Sequence, residues 1–297
     1  MFIGSCAHSD KYPNMNPPPT LEVLCYNVYM VRTMLVVFSV LLGAAMGSFA
    51  CCQAWRIRLK EEEKKDPGKR SVCIACGHRL RWFENVPILS WLLQRGKCRK
   101  CGAKIGKAEI LAEMLGAVSF GLIAWRFVSA VPASVSGVIE FIGELDVARM
   151  VAAMVAMVGL ILLAVYDGKW GEMPVGILLY TIIMGVVFAV ITVLRGGDWL
   201  SLLGSVGLLA GVYYLLYFFS KEKLVGGGDW MLCLAIGLLL ADWRLALLEL
   251  FLANFLGALV MLPKKRRKTA FGPFLVVAFV MIFAFAETLL TTLAVNL

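Results

Sequence analysis

Charged residues and histidine are scarce in this chain of 297 residues. Only 16% of the residues are charged, and His8 and His78 are the two histidines. Neither the H-E-x-x-H motif of metalloproteases nor the phosphate-binding motif G-x-x-x-x-G-K-[ST] occurs. Because no histidine lies near the apolar segments, a Ser-His-Asp triad cannot be assembled among them. These absences argue against a serine hydrolase, a metalloprotease of the H-E-x-x-H type and ATP-driven work.

Apolar residues are abundant instead. They make up 60% of the chain, and the mean hydropathy of +0.81 is too high for a soluble domain of this length. Runs of about 20 apolar residues are long enough to cross a hydrocarbon core. They predict eight helices, the sixth of them short, at 34–55, 108–128, 149–166, 174–194, 200–219, 229–241, 243–262 and 270–295. No run alternates as a strand does, so the sequence predicts an all-α, polytopic bundle in a lipid bilayer.

Basic residues cluster on one side of the predicted membrane. More than half of the 29 Lys and Arg residues lie between Arg56 and Lys107, beside the first span. The positive-inside rule therefore places residues 56–107 in the cytoplasm, together with a basic run at 264–268. The net charge of +9 is explained by this orientation, so we predict no nucleic-acid partner.

Residues 1–33 form a polar tail with three consecutive prolines. The tail lacks the basic start and short apolar stretch of a signal peptide. Two interpretations fit it: a disordered tail outside the membrane, or a protein whose translation starts at Met30 or Met34. The second is favoured because Met34 opens directly onto the first span at 34–55.

Two C-x-x-C pairs lie in the cytoplasmic loop, Cys73 with Cys76 and Cys98 with Cys101, and 21 residues separate the pairs. Each turn directs two sulfurs at one point, and a loop of this length lets the second pair complete an S₄ zinc site. A glycine tolerant of positive φ follows each pair, at Gly77 and Gly102. Disulfides or a redox pair are the less favoured alternative in a reducing cytoplasm. Since four thiolates leave no open position, we predict a structural Zn²⁺.

Two aspartates lie where predicted spans meet the cytoplasm. Asp167 ends the third span, and Asp229 follows Gly226-Gly227-Gly228 at the start of the sixth. An ionisable group at the edge of a membrane bundle is a functional candidate, whereas Asp198 and Asp242 on the outer side fit ordinary interfacial roles. The three glycines predict close approach of the backbone to another chain, such as a substrate strand. Two carboxylates that share a proton can activate water for peptide hydrolysis.

The helix dipole distinguishes the two aspartates. Asp167 lies at the carboxyl end of its predicted helix, where negative charge is disfavoured, and Asp229 lies at an amino end, where it is favoured. The sequence therefore predicts Asp229 as the base and Asp167 as the proton donor.

Other polar residues lie within the predicted spans. Glu109 and Glu113 share one helix face, where they line the active cavity or meet basic residues of the loop; the sequence does not decide between these roles. For Glu249 and Asn254 in the seventh span, hydrogen bonding between helices is expected.

Several separate motifs together resemble the type IV prepilin peptidases, from residue 47 to about residue 275. The matching segments are Gly47-Ser48-Phe49 with Arg56, residues 82–91 between the cysteine pairs, Asp167 with Pro174, Gly226-Gly227-Gly228-Asp229, and Phe271-Gly272-Pro273-Phe274-Leu275. Departures from the family pattern occur at Cys51-Cys52, where the family usually has Asn-Val, and at Val175.

The resemblance implies that Asp167 and Asp229 are a catalytic dyad. It implies that the substrates are prepilin and pseudopilin precursors of type IV pili or type II secretion systems, cut at the cytoplasmic face of a bacterial inner membrane. It further implies an N-methyltransferase activity that uses S-adenosylmethionine and involves the cysteine loop and Gly96. A non-enzymatic assembly protein that docks partners through a zinc knuckle is the alternative. A solute transporter is less favoured because no paired inverted repeat is evident.

The predicted organisation has four parts. These are a tail at 1–33, a first transmembrane helix at 34–55, a cytoplasmic four-cysteine loop at 56–107 and a transmembrane aspartyl peptidase bundle at 108–297.

Overall fold

The computed structural model describes residues 19–61, 71–131, 146–221, 225–261 and 270–295. Within these ranges the chain is helical, apart from turns and two isolated β-bridges in the cysteine loop. In chain order the α-helices are α1 (Pro19–Glu61), α2 (Leu89–Leu93), α3 (Lys107–Ala130), α4 (Val147–Trp170), α5 (Val175–Leu194), α6 (Trp199–Ser220), α7 (Gly227–Leu240), α8 (Trp243–Met261), α9 (Gly272–Ala284) and α10 (Ala286–Val295).

The eight predicted spans correspond to these helices. In the described ranges, α1, α3, α4, α5, α6 and α8 are each long and apolar enough to cross a membrane. Together, α9 and α10 are apolar enough for a seventh span, but the two helices are bent by 69° relative to each other. With 14 residues, α7 is about 21 Å long, less than a hydrocarbon core of about 30 Å. The predicted all-α polytopic membrane fold, with a short sixth helix, is confirmed.

The first helix begins before the predicted span. It starts at Pro19 rather than Met34. Proline is favoured in the first turn of a helix, and no further proline interrupts the chain before Glu61. Val28 is buried, and the Arg32 guanidinium donates a hydrogen bond to the Val131 carbonyl at 3.3 Å. The segment just before Met34 therefore packs against the bundle. Residues 1–18 of the predicted tail and the basic run at 264–268 lie outside the described residues.

Glycines bring α1 and α3 into backbone contact. A Cβ added at Gly43 would lie 2.2 Å from the Gly116 carbonyl oxygen, and one at Gly47 would lie 2.2 Å from that of Ala112. Small residues four apart allow such approach of helices in a membrane. The spacing of Gly43 and Gly47 is thus explained by packing of the first two spans.

The central helix is α4. It contacts α1 and α3 on one side and α5 and α9 on others, and most of its side chains are buried. The short helix α7 packs against α5 and α6. Because α4 ends at Trp170 and α7 and α9 both begin at the same end of the bundle, residues from three helices can meet there.

Candidate active site and cysteine cluster

Asp167 lies in the last turn of α4 and is only 6% exposed. Its Oδ2 accepts a hydrogen bond of 2.7 Å from the backbone N–H of Gly272, the first residue of α9. The carboxylate is thus held against the amino end of a second helix, where free N–H groups and the helix dipole favour negative charge. Gly171, in the left-handed conformation at φ 70°, ends α4 just beyond it.

Asp229 is the third residue of α7. Its Oδ2 accepts a hydrogen bond of 2.9 Å from the backbone N–H of Gly226, the residue that caps the same helix. Its carboxylate interacts electrostatically with that of Asp167. The fold therefore brings the two predicted aspartates together, each at the amino end of a helix. Because Asp167 lies against the amino end of α9 as well as at the carboxyl end of α4, the helix dipole alone does not distinguish a base from an acid, and that assignment stays a prediction.

The glycines before Asp229 approach other parts of this chain. A Cβ at Gly228 would lie 2.9 Å from Cβ of Met173, and one at Gly227 would lie 3.6 Å from the Tyr217 ring. A Cβ at Gly226 would lie 3.4 Å from Oδ2 of Asp229. Close approach of this backbone is therefore present, with Met173 as the nearest neighbour. A role for these glycines in substrate approach stays a prediction.

Lys169 points away from the aspartates. It follows Asp167 by two residues, about 200° around the helix. Its ammonium donates a hydrogen bond of 2.8 Å to Oε1 of Glu109 on α3 and lies 4.6 Å from the centre of the Trp55 ring. This cation is thus paired with a carboxylate and an aromatic face on the side of α4 opposite the candidate dyad.

The two glutamates of α3 have different partners. Glu109 pairs with Lys169, whereas Oε2 of Glu113 accepts a hydrogen bond of 2.6 Å from the backbone N–H of Ile88 in the cysteine loop. Ile88 has a positive φ of 62°, unusual for a β-branched residue. Glu113 therefore anchors the loop to the bundle through a backbone group, not through the basic side chains considered from the sequence.

The four cysteines converge. Sulfurs of Cys73, Cys76, Cys98 and Cys101 all lie within 4.8 Å of one another, and those of Cys73 and Cys101 are 3.9 Å apart. Thiolates around a tetrahedral Zn²⁺ lie about 3.8 Å apart, given Zn–S bonds of about 2.3 Å. The cluster is therefore the right size and donor set for zinc.

Each cysteine pair is shaped by a similar turn. The N–H of Gly77 donates to the Cys73 carbonyl at 2.8 Å, and that of Gly102 to the Cys98 carbonyl at 2.9 Å. Both glycines have positive φ, 68° and 70°, as predicted from the sequence. Because a Cβ at either would meet nothing within 4 Å, backbone conformation, not space, requires glycine there.

The electrostatics of the cluster suit a cation. The backbone N–H groups of Cys101 and Lys100 lower the pKa of Cys98 to about 6. At Cys101 the backbone N–H of Ala103 acts in the same direction, but the Cys76 sulfur, burial and the sulfurs of Cys98 and Cys73 together outweigh it and raise the pKa to about 11. Four sulfurs crowded together cannot all ionise without a bound cation, and a metal ion removes this conflict.

Gly96 has a structural explanation. Its φ is 65°, and a Cβ there would lie 2.8 Å from the indole ring of Trp91. Its N–H donates to the Trp91 carbonyl at 2.9 Å, and its carbonyl accepts from Ile105 at 2.8 Å. Glycine is therefore needed to fold the second half of the loop. A role in binding S-adenosylmethionine stays a prediction.

Glu84 fastens the first half of the loop. Its side chain is buried, and Oε2 accepts a hydrogen bond of 2.8 Å from the Arg81 backbone N–H. This hydrogen bond is the largest effect on the pKa of Glu84, which is lowered. Burial, the next largest effect, opposes the lowering, and His78 adds to it. Nε2 of His78 lies 3.4 Å from the same oxygen. His78, which follows the first cysteine turn, is therefore tied to Glu84 in the turn at Trp82–Asn85.

The two polar residues singled out in α8 have different outcomes. Asn254 donates a hydrogen bond of 3.0 Å to the Tyr213 hydroxyl on α6, which confirms its predicted role between helices. Glu249 is fully buried, yet neither of its carboxylate oxygens has a hydrogen-bond partner among the described residues. The expectation that Glu249 hydrogen-bonds between helices is therefore wrong for this part of the chain.

Two residues of the site were given no role from the sequence. The Gly272 N–H and the Met173 side chain both border Asp167, and no local pattern assigns them to it. The sequence offered only a partial signal for Gly272: Pro273 favours the first turn of a helix, and glycine beside it permits close approach of another group.

Comparison with known proteins adds independent evidence. Two family profiles match the chain, one described as "Bacterial Peptidase A24 N-terminal domain" over residues 41–127 and one as "Type IV leader peptidase family" over residues 154–262. The first match contains the four cysteines and the second contains Asp167 and Asp229. No solved structure matches the chain.

Three relatives are each named prepilin leader peptidase/N-methyltransferase. The Neisseria gonorrhoeae protein is 32% identical over 220 residues, which cover 70% of this chain and 68% of the relative. The Pseudomonas aeruginosa protein is 24% identical over 273 residues, covering 82% and 88%. The Stutzerimonas stutzeri protein is 27% identical over 218 residues, covering 70% and 69%. Together with the family profiles, these similarities show that the chain belongs to the type IV leader peptidase family.

Proposed function

We propose that this protein is a membrane aspartyl endopeptidase that removes the leader peptide from type IV prepilins and pseudopilins. The observation that carries the proposal is the pairing of Asp167 with Asp229, each held by a backbone N–H at the amino end of a helix. The names of its relatives support prepilin as the substrate class. Membership of the family supports hydrolysis over a purely scaffolding role.

The paired carboxylates can perform peptide hydrolysis without a metal. Two interacting carboxyl groups share one proton, so one is ionised while the other is protonated. The ionised group takes a proton from water as the water oxygen attacks the scissile carbonyl carbon, and the protonated group donates to the carbonyl oxygen. The tetrahedral intermediate collapses when the C–N bond breaks: the nitrogen gains the proton that the first carboxylate took from water, and the former carbonyl oxygen returns its proton to the second carboxylate. The products are a leader carboxylate and a new α-amine.

The proposed site faces the cytoplasm of a bacterial inner membrane. Asp167 and Asp229 lie at the same end of the bundle as the cysteine loop, which Glu113 anchors to α3. That loop carries the basic residues that favour the cytoplasmic side. Leader cleavage at this face leaves the apolar body of a substrate free to remain in the bilayer.

The cysteine cluster fits a structural zinc ion. Bound Zn²⁺ would supply four Zn–S bonds that cross-link the two halves of the loop, with no open position for a reactant. Cys73, Cys76, Cys98 and Cys101 would hold it. With zinc bound, the cluster would stiffen the loop and would take no part in hydrolysis.

We extend the proposal to N-methylation of the new amine, because the relatives carry that activity in their names. S-adenosylmethionine would supply the methyl group. The geometry of Gly96 does not identify a site for it, since the space beside this residue is filled by Trp91.

The experiment is co-expression of a prepilin with the wild-type protein or with Asp167→Asn or Asp229→Asn. The mass and the first residue of the recovered pilin report cleavage and methylation together. We expect either variant to abolish leader removal while the folded protein remains in the membrane. Asp198→Asn is a matched control, because Asp198 also caps a helix, accepting hydrogen bonds from Leu200 and Ser201 at the opposite end of the bundle.

Cleavage at a near wild-type rate by either dyad variant would overturn the proposal. Loss of cleavage in the Asp198→Asn control would show instead that any change at a helix terminus disables the protein.

A further inference from the structure

Met173 lies between the two helices that begin at the candidate dyad. It belongs to the short connection from α4 to α5, six residues after Asp167 and next to Pro174. A Cβ at Gly228 of α7 would lie 2.9 Å from Cβ, 3.0 Å from Sδ and 3.1 Å from Cγ of Met173. The side chain thus runs along the first turn of α7 from its base to its sulfur.

The tip of the same side chain reaches the other helix. A Cβ at Gly272 of α9 would lie 2.8 Å from Cε of Met173 and also 2.8 Å from Oδ2 of Asp167. Two atoms that are each this close to one point lie within twice that distance of each other. The methyl group of Met173 therefore lies near the Asp167 carboxylate, on the side of Gly272.

This arrangement presents a physical difficulty for the reaction. A thioether and its methyl group offer no strong hydrogen bond to a carboxylate or to water. Hydrolysis requires both a water molecule and an extended peptide next to Asp167 and Asp229. Because Met173 occupies the gap between Gly228 and Gly272, a peptide approaching along these glycines must displace it.

The side chain is suited to being displaced. Methionine is unbranched and has three rotatable bonds beyond its backbone, so it changes rotamer at little cost. Met173 is half-buried, and its connection begins with Gly171, which is exposed and has a positive φ of 70°. Movement of the tip requires no change in α4, α7 or α9.

We propose that Met173 covers the dyad in the free enzyme and, once displaced, lines the subsite for a residue flanking the scissile bond. It is a specificity-determining residue: the space between it and Gly228 and Gly272 limits the size of the substrate side chain. This inference rests on the proposed peptidase function. A purely structural alternative is that Met173 packs α7 against α9 and affects all substrates alike.

The test compares Met173→Ala with Met173→Leu, which keeps the apolar volume. Each purified variant receives two pairs of prepilins that differ in having a small or a bulky residue immediately before or after the cleavage site. We expect Met173→Ala to raise kcat/KM for the bulky member of one pair, relative to the small member, about tenfold, mainly through KM. Met173→Leu should keep the ratio of kcat/KM between bulky and small substrates close to that of the wild-type protein.

Met184→Ala is the control for loss of packing. Met184 lies in α5, is also half-buried against the core and is far along the helix from the dyad. The Met184→Ala variant should have lower thermal stability but the same ratio of kcat/KM between bulky and small substrates. The thermal unfolding midpoint of each variant shows whether a change in rate reflects misfolding.

An unchanged ratio, within about twofold, in a folded Met173→Ala variant would overturn the inference and leave the proposed function intact. A uniform loss of rate with all four substrates would assign Met173 the structural role and equally overturn it. Failure of the proposed function is recognised separately, by cleavage in the Asp167→Asn or Asp229→Asn variants.

Discussion

The backbone N–H of Gly272 donates a hydrogen bond of 2.7 Å to Oδ2 of Asp167, across 105 positions of sequence. The bond joins the last turn of α4 to the first residue of α9. It places a carboxylate against free N–H groups of a helix that is not its own. The position of Asp167 therefore depends on how the last span docks against the central helix.

Gly272→Ala should damage the site without unfolding the protein. The added Cβ would lie 2.8 Å from Oδ2 of Asp167, so the carboxylate must shift. Since a small misplacement of a catalytic group is costly, we expect kcat to fall roughly tenfold to a hundredfold. Single-turnover cleavage of a prepilin measures this fall.

Gly176→Ala is the matched control for that prediction. Gly176 lies in the first turn of α5, and a Cβ there would meet nothing within 4 Å. It should cleave normally and gain up to about 1 kcal/mol of helix stability. If Gly272→Ala cleaves as fast as this control, the contact with Asp167 is not needed for catalysis.

The cysteine cluster should hold one Zn²⁺ per chain. Because four sulfurs lie within 4.8 Å of one another, replacing any of them with serine should sharply weaken binding. Metal analysis of the purified protein measures the stoichiometry. Chelation should increase hydrogen exchange in the loop while hydrolysis continues. Cys52→Ser, outside the cluster, should keep its zinc; an absence of zinc with four freely titratable thiols would contradict the prediction.

Gly96→Ala should distort the loop by two routes. Alanine at φ 65° costs about 1–2 kcal/mol, and its Cβ would also lie 2.8 Å from the Trp91 ring. Gly77→Ala is a control that separates the routes, since it has a similar φ of 68° with open space. Hydrogen exchange of the loop should increase more in Gly96→Ala. An undisturbed loop that no longer binds S-adenosylmethionine would favour a cofactor role instead.

Lys169→Met should destabilise the protein by leaving Glu109 without its cation. Both side chains are partly buried, so a loss of about 1–3 kcal/mol is expected. Adding Glu109→Gln should recover part of that loss, which thermal unfolding in detergent can measure as a double-mutant cycle.

Arg58→Gln provides the comparison for this pair. Arg58 meets the exposed carboxylate of Glu172 at 2.8 Å, and such pairs contribute about 0–1 kcal/mol. If Lys169→Met costs no more than Arg58→Gln, the pair between α3 and α4 is not a structural link.

Much of this protein follows from its sequence. Composition and the length of apolar runs determined a helical membrane bundle, because lipid offers no partner for unpaired backbone groups. The cysteine spacing predicted a compact four-sulfur cluster, because each C-x-x-C turn is a local structure whose geometry lies within a few residues. The aspartates Asp167 and Asp229 stood out because charge at the edge of a span is costly.

Only the tertiary structure decided the surroundings of those residues. From sequence, Asp167 lies at the carboxyl end of its own helix, where the dipole disfavours charge; the fold brings the amino end of α9 to it through Gly272. Glu109 and Glu113, neighbours on one helix face, take a cation of α4 and a backbone N–H of the loop as partners. Helix patterns specify which face is apolar, but the distance between groups on different helices depends on how those faces pack. The partners of each charged group were therefore set by packing between spans that are far apart in the chain.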